Sequence, residues 1–228
     1  MSEKVVIRFL LRLILGLSAL AAACTLAGAL WAADLSGPVE IEWVPDGDTL
    51  HSASGLVYRL QGIDTPETGH ENGKEQYFSA RATEFLRQLV KPDRVFVDRG
   101  HLSRDRYGRY ISRLYLKDGT CLNRLMVLNG YAFFYPHAKE MTPFTRSLLQ
   151  AQKEAIAEGR GFWPRILSMP EAEDSWLGNK NSRRFHAQDC KYGRKTSPKN
   201  RRLFPSLRRA FEAGYAPCRE CSPWPGEK

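Results

Sequence analysis

A mainly β fold with helices, an α+β chain built on a five-stranded Greek-key barrel of the OB type, is what the sequence predicts for its middle section. Three observations point to it. Short apolar runs alternate with Gly- and Asp-rich turns. Helical spacing of apolar residues interrupts and then follows those runs. The 228 residues are 43% hydrophobic and 26% charged, a globular balance that excludes a disordered or collagen-like chain. An ordinary α+β sandwich fits the same pattern.

Val39–Val44 reads as a strand, Asp46-Gly47-Asp48 as a turn, and a second strand starts at Thr49. Gly55 marks another turn, and Val57–Ile63 reads as a third strand. Over Lys74–Val90, Phe78, Ala82, Phe85 and Leu89 recur at helical spacing, and Lys91-Pro92 stops the helix. Val95–Asp98 and Tyr110–Leu116 read as strands. Leu122–Asn129 is a short helix with Gly130 at its C-terminal stop, and Thr142–Glu158 is a longer one followed by Gly159.

Charge divides the chain. Residues 34–163 hold 17 basic and 17 acidic side chains, whereas residues 164–228 hold 14 basic and 7 acidic. A neutral middle with a basic tail implies two functional units, the second facing a polyanion. Ahead of both, Leu13–Ala33 is a 21-residue run without a charge, preceded by Lys4, Arg8 and Arg12. A helix of that length spans roughly 30 Å, a bilayer core. The positive-inside rule then leaves the N-terminus in the cytoplasm and exports the remainder. Residues 1–33 are thus a membrane anchor or a cleaved signal peptide, the latter with Ala21-Ala22-Ala23 or Ala27-Gly28-Ala29 as cleavage sites; lipidation at Cys24 is a third form of export.

Within the middle section, Asp48 and Asp64 lie sixteen residues apart across a hairpin. Two carboxylates brought together repel unless a cation sits between them or one is protonated. Oxygen ligands of this kind suit Ca²⁺. Glu67 follows in Asp64-Thr65-Pro66-Glu67. Arg59 precedes, and Arg109 closes Asp105-Arg106-Tyr107-Gly108-Arg109. Carboxylates for a metal, one further Glu and two guanidiniums are the parts needed to cleave a phosphodiester. Taken singly, each has a plainer reading: turn chemistry, a helix start, a surface charge.

Residues 39–163 resemble the staphylococcal nuclease (thermonuclease) family. The likeness runs through Asp46-Gly47-Asp48-Thr49, Arg59 to Glu67, Asp105 to Arg109, Leu122-Asn123, Gly130-Tyr131-Ala132, and Ala151, Gly159 and Trp163 of the closing segment. It implies an OB barrel over residues 34–163 and a Ca²⁺-dependent nuclease acting on DNA and RNA. By position, Asp48 and Asp64 ligate Ca²⁺ through side chains and Thr65 through its carbonyl. Glu67 is the general base, and Arg59 and Arg109 hold the scissile phosphate. Tyr107 touches a phosphate and Tyr135 stacks on a base, both equally readable as packing residues. The family also implies 3′-phosphate products. A non-catalytic nucleic-acid binder, serving DNA capture or uptake at the membrane, is the alternative. A protein-binding barrel is the third reading.

Residues 164–178 read as a linker. From Asn179 to Arg209 there are 11 basic residues against Asp189, a stripe suited to phosphate contact. Tyr192, Phe204 and Phe211 interleave with it as core candidates. His186-x₃-Cys190 and Cys218-x₂-Cys221 suit a tetrahedral Zn²⁺ site that would clip together a module, residues 179–228, too small for much core. A disulfide is the alternative, with one cysteine left over. Residues 176–221 also resemble the small Ada-type zinc module, with His186 at the first ligand position. Four protein ligands make such a zinc structural. Cys121 reads as buried packing.

Overall fold

The computed structural model describes residues 34–69, 75–91, 95–135 and 141–225. The first strands are β1 (Leu35–Val39), β2 (Ile41–Asp46), β3 (Thr49–Ser52), β4 (Val57–Leu60) and β5 (Ile63–Asp64). Helix α1 (Ser79–Val90) leads to β6 (Val95–Asp98), β7 (Ser103–Arg104), β8 (Tyr110–Ser112) and β9 (Leu114–Tyr115). Then come α2 (Leu122–Leu128), β10 (Phe133–Phe134), α3 (Pro143–Ala157) and α4 (Trp163–Leu167). The tail adds β11 (Trp176–Asn179), β12 (Arg184–His186), α5 (Lys191–Arg194), β13 (Arg201–Phe204), α6 (Leu207–Glu212) and β14 (Ala216–Pro217). The chain is thus mixed α+β. The expected membrane segment lies outside the described residues. Among those residues, no helix is long and apolar enough to cross a membrane.

One sheet has the order β2-β3-β4-β8-β7 and another β1-β6-β9, while β5 pairs with β10. The five expected strands are therefore shorter and more numerous. Tyr110–Leu116 divides because β8 pairs with β4 whereas β9 pairs with β6, so Arg113 stands between two sheets. Helix α1 begins at Ser79 rather than Lys74, because the chain before it pairs elsewhere. Glu75 bridges to Thr68 and the Gln76 N–H donates to the Glu67 carbonyl (2.9 Å). In α3, Thr142 caps the N-terminus, its hydroxyl accepting from the Thr145 N–H (3.2 Å).

Leu50, Leu60, Ile63, Leu86, Leu114, Leu122, Met126 and Leu148 form one buried cluster under the sheets, with Cys121 at its edge. Burial pushes the Cys121 thiol up to about 11, so it packs as an apolar group.

Residues 164–178, expected as a linker, are folded. Ile166, Ala172 and Trp176 are buried there. Together with Phe133, Ala155, Phe162 and Trp163 they join Phe185, Phe204, Phe211 and Trp224 of the tail in a second cluster. Trp163 and Phe185 both meet Phe211 edge-on, at 4.8 and 5.0 Å between ring centroids. Such pairs contribute about 0.5–1.5 kcal/mol each beyond area burial. Gln152 of α3 ties the two parts with one buried carboxamide: it accepts from the Phe134 N–H (2.7 Å) and donates to the Phe211 carbonyl (2.8 Å). From Ser36 onward the described residues form a single compact unit. The tail, expected to be too small for much core, shares one with α3 and α4. Of its three aromatic core candidates, Phe204 and Phe211 are buried and Tyr192 is exposed.

Candidate active site and cysteine cluster

The turn between β2 and β3 presents Asp48 inward. Asp46 Oδ1 accepts from the Asp48 N–H (3.0 Å), an Asx-type turn that Asp-Gly-Asp favours. The antiparallel pairing of β3 with β4 sets Thr49 opposite Arg59, which brings the Arg59 side chain to Asp48. Asp64 stands at the end of β5. Asp48 and Asp64 are 2% and 6% exposed, and Arg59 is 8% exposed.

A single guanidinium joins both carboxylates. Arg59 Nη1 contacts Asp48 Oδ1, and Nη2 donates to Asp64 Oδ1 (2.5 Å). Two acids separated by sixteen residues therefore aim oxygens at one spot, with a cationic group on it. The remaining Asp48 oxygen, Oδ2, accepts from both the N–H and the hydroxyl of Thr65, each at 3.1 Å. Thr65 thus orients Asp48 through its amide and hydroxyl, in addition to any part its carbonyl plays. The donor set is all oxygen, which fits a hard cation such as Ca²⁺.

Glu67 is half-buried on the same rim. Its N–H donates to the Gln76 carboxamide (2.9 Å), and the Gln76 N–H donates to its carbonyl, so the loop is held at both backbone groups. Arg109 is gripped by Asp105, which takes its Nε–H (2.8 Å) and its backbone N–H (3.0 Å). Burial alone would raise the Asp105 carboxyl, but the Arg109 bonds outweigh it and hold it below the usual carboxylate range. Among the described residues, the hydrogen bonds of Arg109 fall on its Nε and backbone N–H and none on its Nη nitrogens. Tyr107 projects beside it, 66% exposed, with the Arg109 guanidinium 5.4 Å from its ring.

Asp48, Asp64, Thr65, Glu67, Arg59, Arg109 and Tyr107 all line one cleft of about 560 Å³. Tyr135 does not. Its ring carries the Arg184 guanidinium at 3.9 Å and its hydroxyl accepts from Arg184, so here it braces the tail. Among the cleft residues not anticipated from sequence are Trp43, His51 and Arg219. Trp43 is 55% exposed and packs on His51 with ring centroids 4.8 Å apart. The signal for Trp43 was there, an aromatic at a strand position facing solvent just ahead of the acidic turn. For Arg219 there was none.

A model described as staphylococcal nuclease homologue matches residues 57–165. Thermonuclease of Staphylococcus intermedius is 30% identical over 131 residues, which cover 55% of this chain and 75% of that protein. An uncharacterised endonuclease of Escherichia coli O157:H7 is 34% identical over 134 residues, 58% of this chain and 78% of that protein. The chain belongs to the staphylococcal nuclease family. The matched section is accordingly a hydrolase domain of the nuclease class. Endonuclease YhcR of Bacillus subtilis (strain 168) is 27% identical over 201 residues, 77% of this chain; the chain spans 16% of YhcR.

Beside the cleft, His186, Cys190, Cys218 and Cys221 place one ligand atom each within 4.8 Å of all the others. Tetrahedral zinc–thiolate geometry sets sulfurs about 3.8 Å apart, so the cluster is close to that spacing. All four sit on short tail elements. His186 ends β12, Cys190 precedes α5, and the other two follow β14. The hydrogen bond between Cys218 and Cys221 pulls the Cys218 thiol down against the effect of burial and pushes the Cys221 thiol up. Three sulfurs and an imidazole suit a soft cation. Cys190, Cys218 and Cys221 are unbridged, as is Cys121.

Proposed function

We propose that this chain is an exported, membrane-anchored Ca²⁺-dependent nuclease that hydrolyses phosphodiester bonds of DNA and RNA and leaves 3′-phosphates. The observation that carries the reading is the convergence of Asp48, Asp64, Glu67, Arg59 and Arg109 on one cleft. The sheets of residues 35–115 are read as walls of an OB-type barrel, whose strand ends hold that cleft.

Asp48 and Asp64 would hold Ca²⁺, with Thr65 beside them; when bound, the ion supplies positive charge to a phosphate oxygen. Glu67 takes a proton from the water that attacks phosphorus. A new P–O bond forms and the bond to the 5′ oxygen breaks; that oxygen takes a proton from solvent, leaving a 5′-hydroxyl and a 3′-phosphate. Arg109, its Nε held by Asp105, offers its Nη donors to the equatorial oxygens, and Arg59 adds a second charge beside the two aspartates. Tyr107 meets a flanking phosphate. The basic tail holds the strand electrostatically.

Incubation of single-stranded DNA with the chain tests the reading directly. Cleavage is expected in Ca²⁺, none in EGTA, and recovery when Ca²⁺ exceeds the chelator. Intact DNA with shifted mobility in every lane would instead favour the non-catalytic binder.

The cysteine cluster is proposed as a structural Zn²⁺ site of the Ada-type kind, supported by its four convergent ligands. Because the tail shares a core with α3 and α4, metal analysis belongs on the whole chain. About one zinc per chain is expected, and less than half an equivalent would sink the site. The export proposal rests on Lys4, Arg8 and Arg12 ahead of the uncharged run.

A further inference from the structure

Arg219 is exposed and lines the nuclease cleft together with Asp48, Asp64 and Glu67, although it belongs to the tail. It lies in the two-residue span between Cys218 and Cys221. A smaller recess is lined by Asp64, Thr65 and Glu67 together with Cys218 and Arg219. The cysteine cluster and the nuclease centre are therefore adjacent, and this arginine stands at their junction.

The span is anchored on both sides. Before it, the Cys218 N–H donates to the Phe185 carbonyl (2.9 Å), and Arg184 donates to the Pro217 carbonyl (2.7 Å) while its guanidinium lies on Tyr135. After it, the Trp224 indole N–H donates to the Tyr77 carbonyl (3.0 Å) and the Tyr77 N–H donates to the Pro225 carbonyl (2.8 Å). Tyr77 follows Gln76, whose carboxamide holds Glu67. Glu220, the acidic neighbour of Arg219, is paired outward with Lys191 (2.5 Å). A long flexible cation is costly to localise, and two ligating cysteines flanking it within three residues reduce that entropy.

We propose that Arg219 binds a phosphate of the nucleic-acid strand in the nuclease cleft, and that the His186/Cys190/Cys218/Cys221 clip holds it there. The clip then couples metal occupancy of the tail to strand binding at the active site. Arg219 is a binding residue of the nuclease reading, on which this inference rests. Its place in the cleft that also holds Arg109 suits a phosphate flanking the scissile one.

The test reads binding, so that it does not depend on cleavage. A fluorescein-labelled single-stranded phosphorothioate oligonucleotide keeps its charges and resists hydrolysis. It is titrated with the full chain at several salt concentrations without calcium. Arg219→Ala is expected to weaken binding about tenfold at low salt and to reduce the slope of log affinity against log salt by about 0.7. Arg219→Lys should restore the slope, since the charge returns. Zinc returned to chelator-stripped chains should tighten the wild type about tenfold and Arg219→Ala by less than about twofold. An unchanged salt slope in Arg219→Ala would overturn the phosphate contact. Equal zinc responses in the two chains would overturn the coupling. Cleavage of an ordinary oligonucleotide by the wild type in Ca²⁺ tests the nuclease chemistry separately. A chain that loses salt slope on Arg219→Ala yet never cleaves would retain the phosphate site without the nuclease chemistry.

Discussion

Glu67→Gln is expected to slow cleavage of single-stranded DNA by about 10²–10⁴-fold at saturating Ca²⁺, the range a positioned general base contributes. Gln keeps the size of the side chain and loses its basicity. The loop should hold its shape, because what fixes it is the backbone of Glu67 bonded to Gln76. Affinity for the oligonucleotide should therefore stay within about twofold to threefold, so the loss falls on turnover. Single-turnover rates separate the two. A wild-type rate would remove Glu67 from the role of base.

Arg59→Leu carries the second large effect, and it divides into two parts. Arg59 is the cation between two nearly inaccessible carboxylates. Removing one member of a buried charge cluster costs about 3–5 kcal/mol, because the remaining charges face each other without compensation. The same change deletes a donor to the transition state, worth on the order of 10²–10³ in rate. Calcium distinguishes the parts. A divalent ion on Asp48 and Asp64 can replace the missing positive charge, and ligand at a hundredfold excess over its Kd stabilises by about 2.7 kcal/mol. The urea midpoint of Arg59→Leu should therefore rise with Ca²⁺ more than that of the wild type, while its activity stays low. A midpoint insensitive to Ca²⁺ would mean that the two aspartates do not share a cation.

The acidic half of the site was legible because its geometry is local. Asp46-Gly47-Asp48 makes a turn by its own hydrogen bond, the β3–β4 hairpin returns the chain within a few residues, and Arg59 arrives opposite Thr49 by register alone. Alternation and turn residues are enough for that. Arg109 was legible for a similar reason, since Asp105 is four residues away and grips it within one turn. Thr65 was only partly read. Its place beside Asp48 follows from the motif, but its amide and hydroxyl bonds depend on how β5 closes on the β2–β3 turn.

The tail was misjudged as an autonomous unit on a linker. Trp163, Phe185, Phe211 and Trp224 announce a core by their size, yet nothing in the sequence says which residues share it. Hydrophobic burial is non-directional, so an apolar side chain names no partner. Tyr135 shows the same limit. An aromatic after the barrel fits a base-stacking role in sequence, and here it receives Arg184 from forty-nine residues away.

Local chemistry, then, was set by residue order alone. The turns, the hairpin that carries Arg59 to Asp48, the His186–Cys190 and Cys218–Cys221 spacings and the basic character of the tail all follow from contacts or spacings short along the chain. Tertiary packing decided what those pieces face: Asp64 brought onto the Arg59–Asp48 pair, Gln152 binding α3 to the tail, and Arg219 brought from a cysteine loop to the nuclease cleft. Such juxtapositions arise when two apolar surfaces close on each other and carry their polar rims together, and no local spacing encodes where those rims meet.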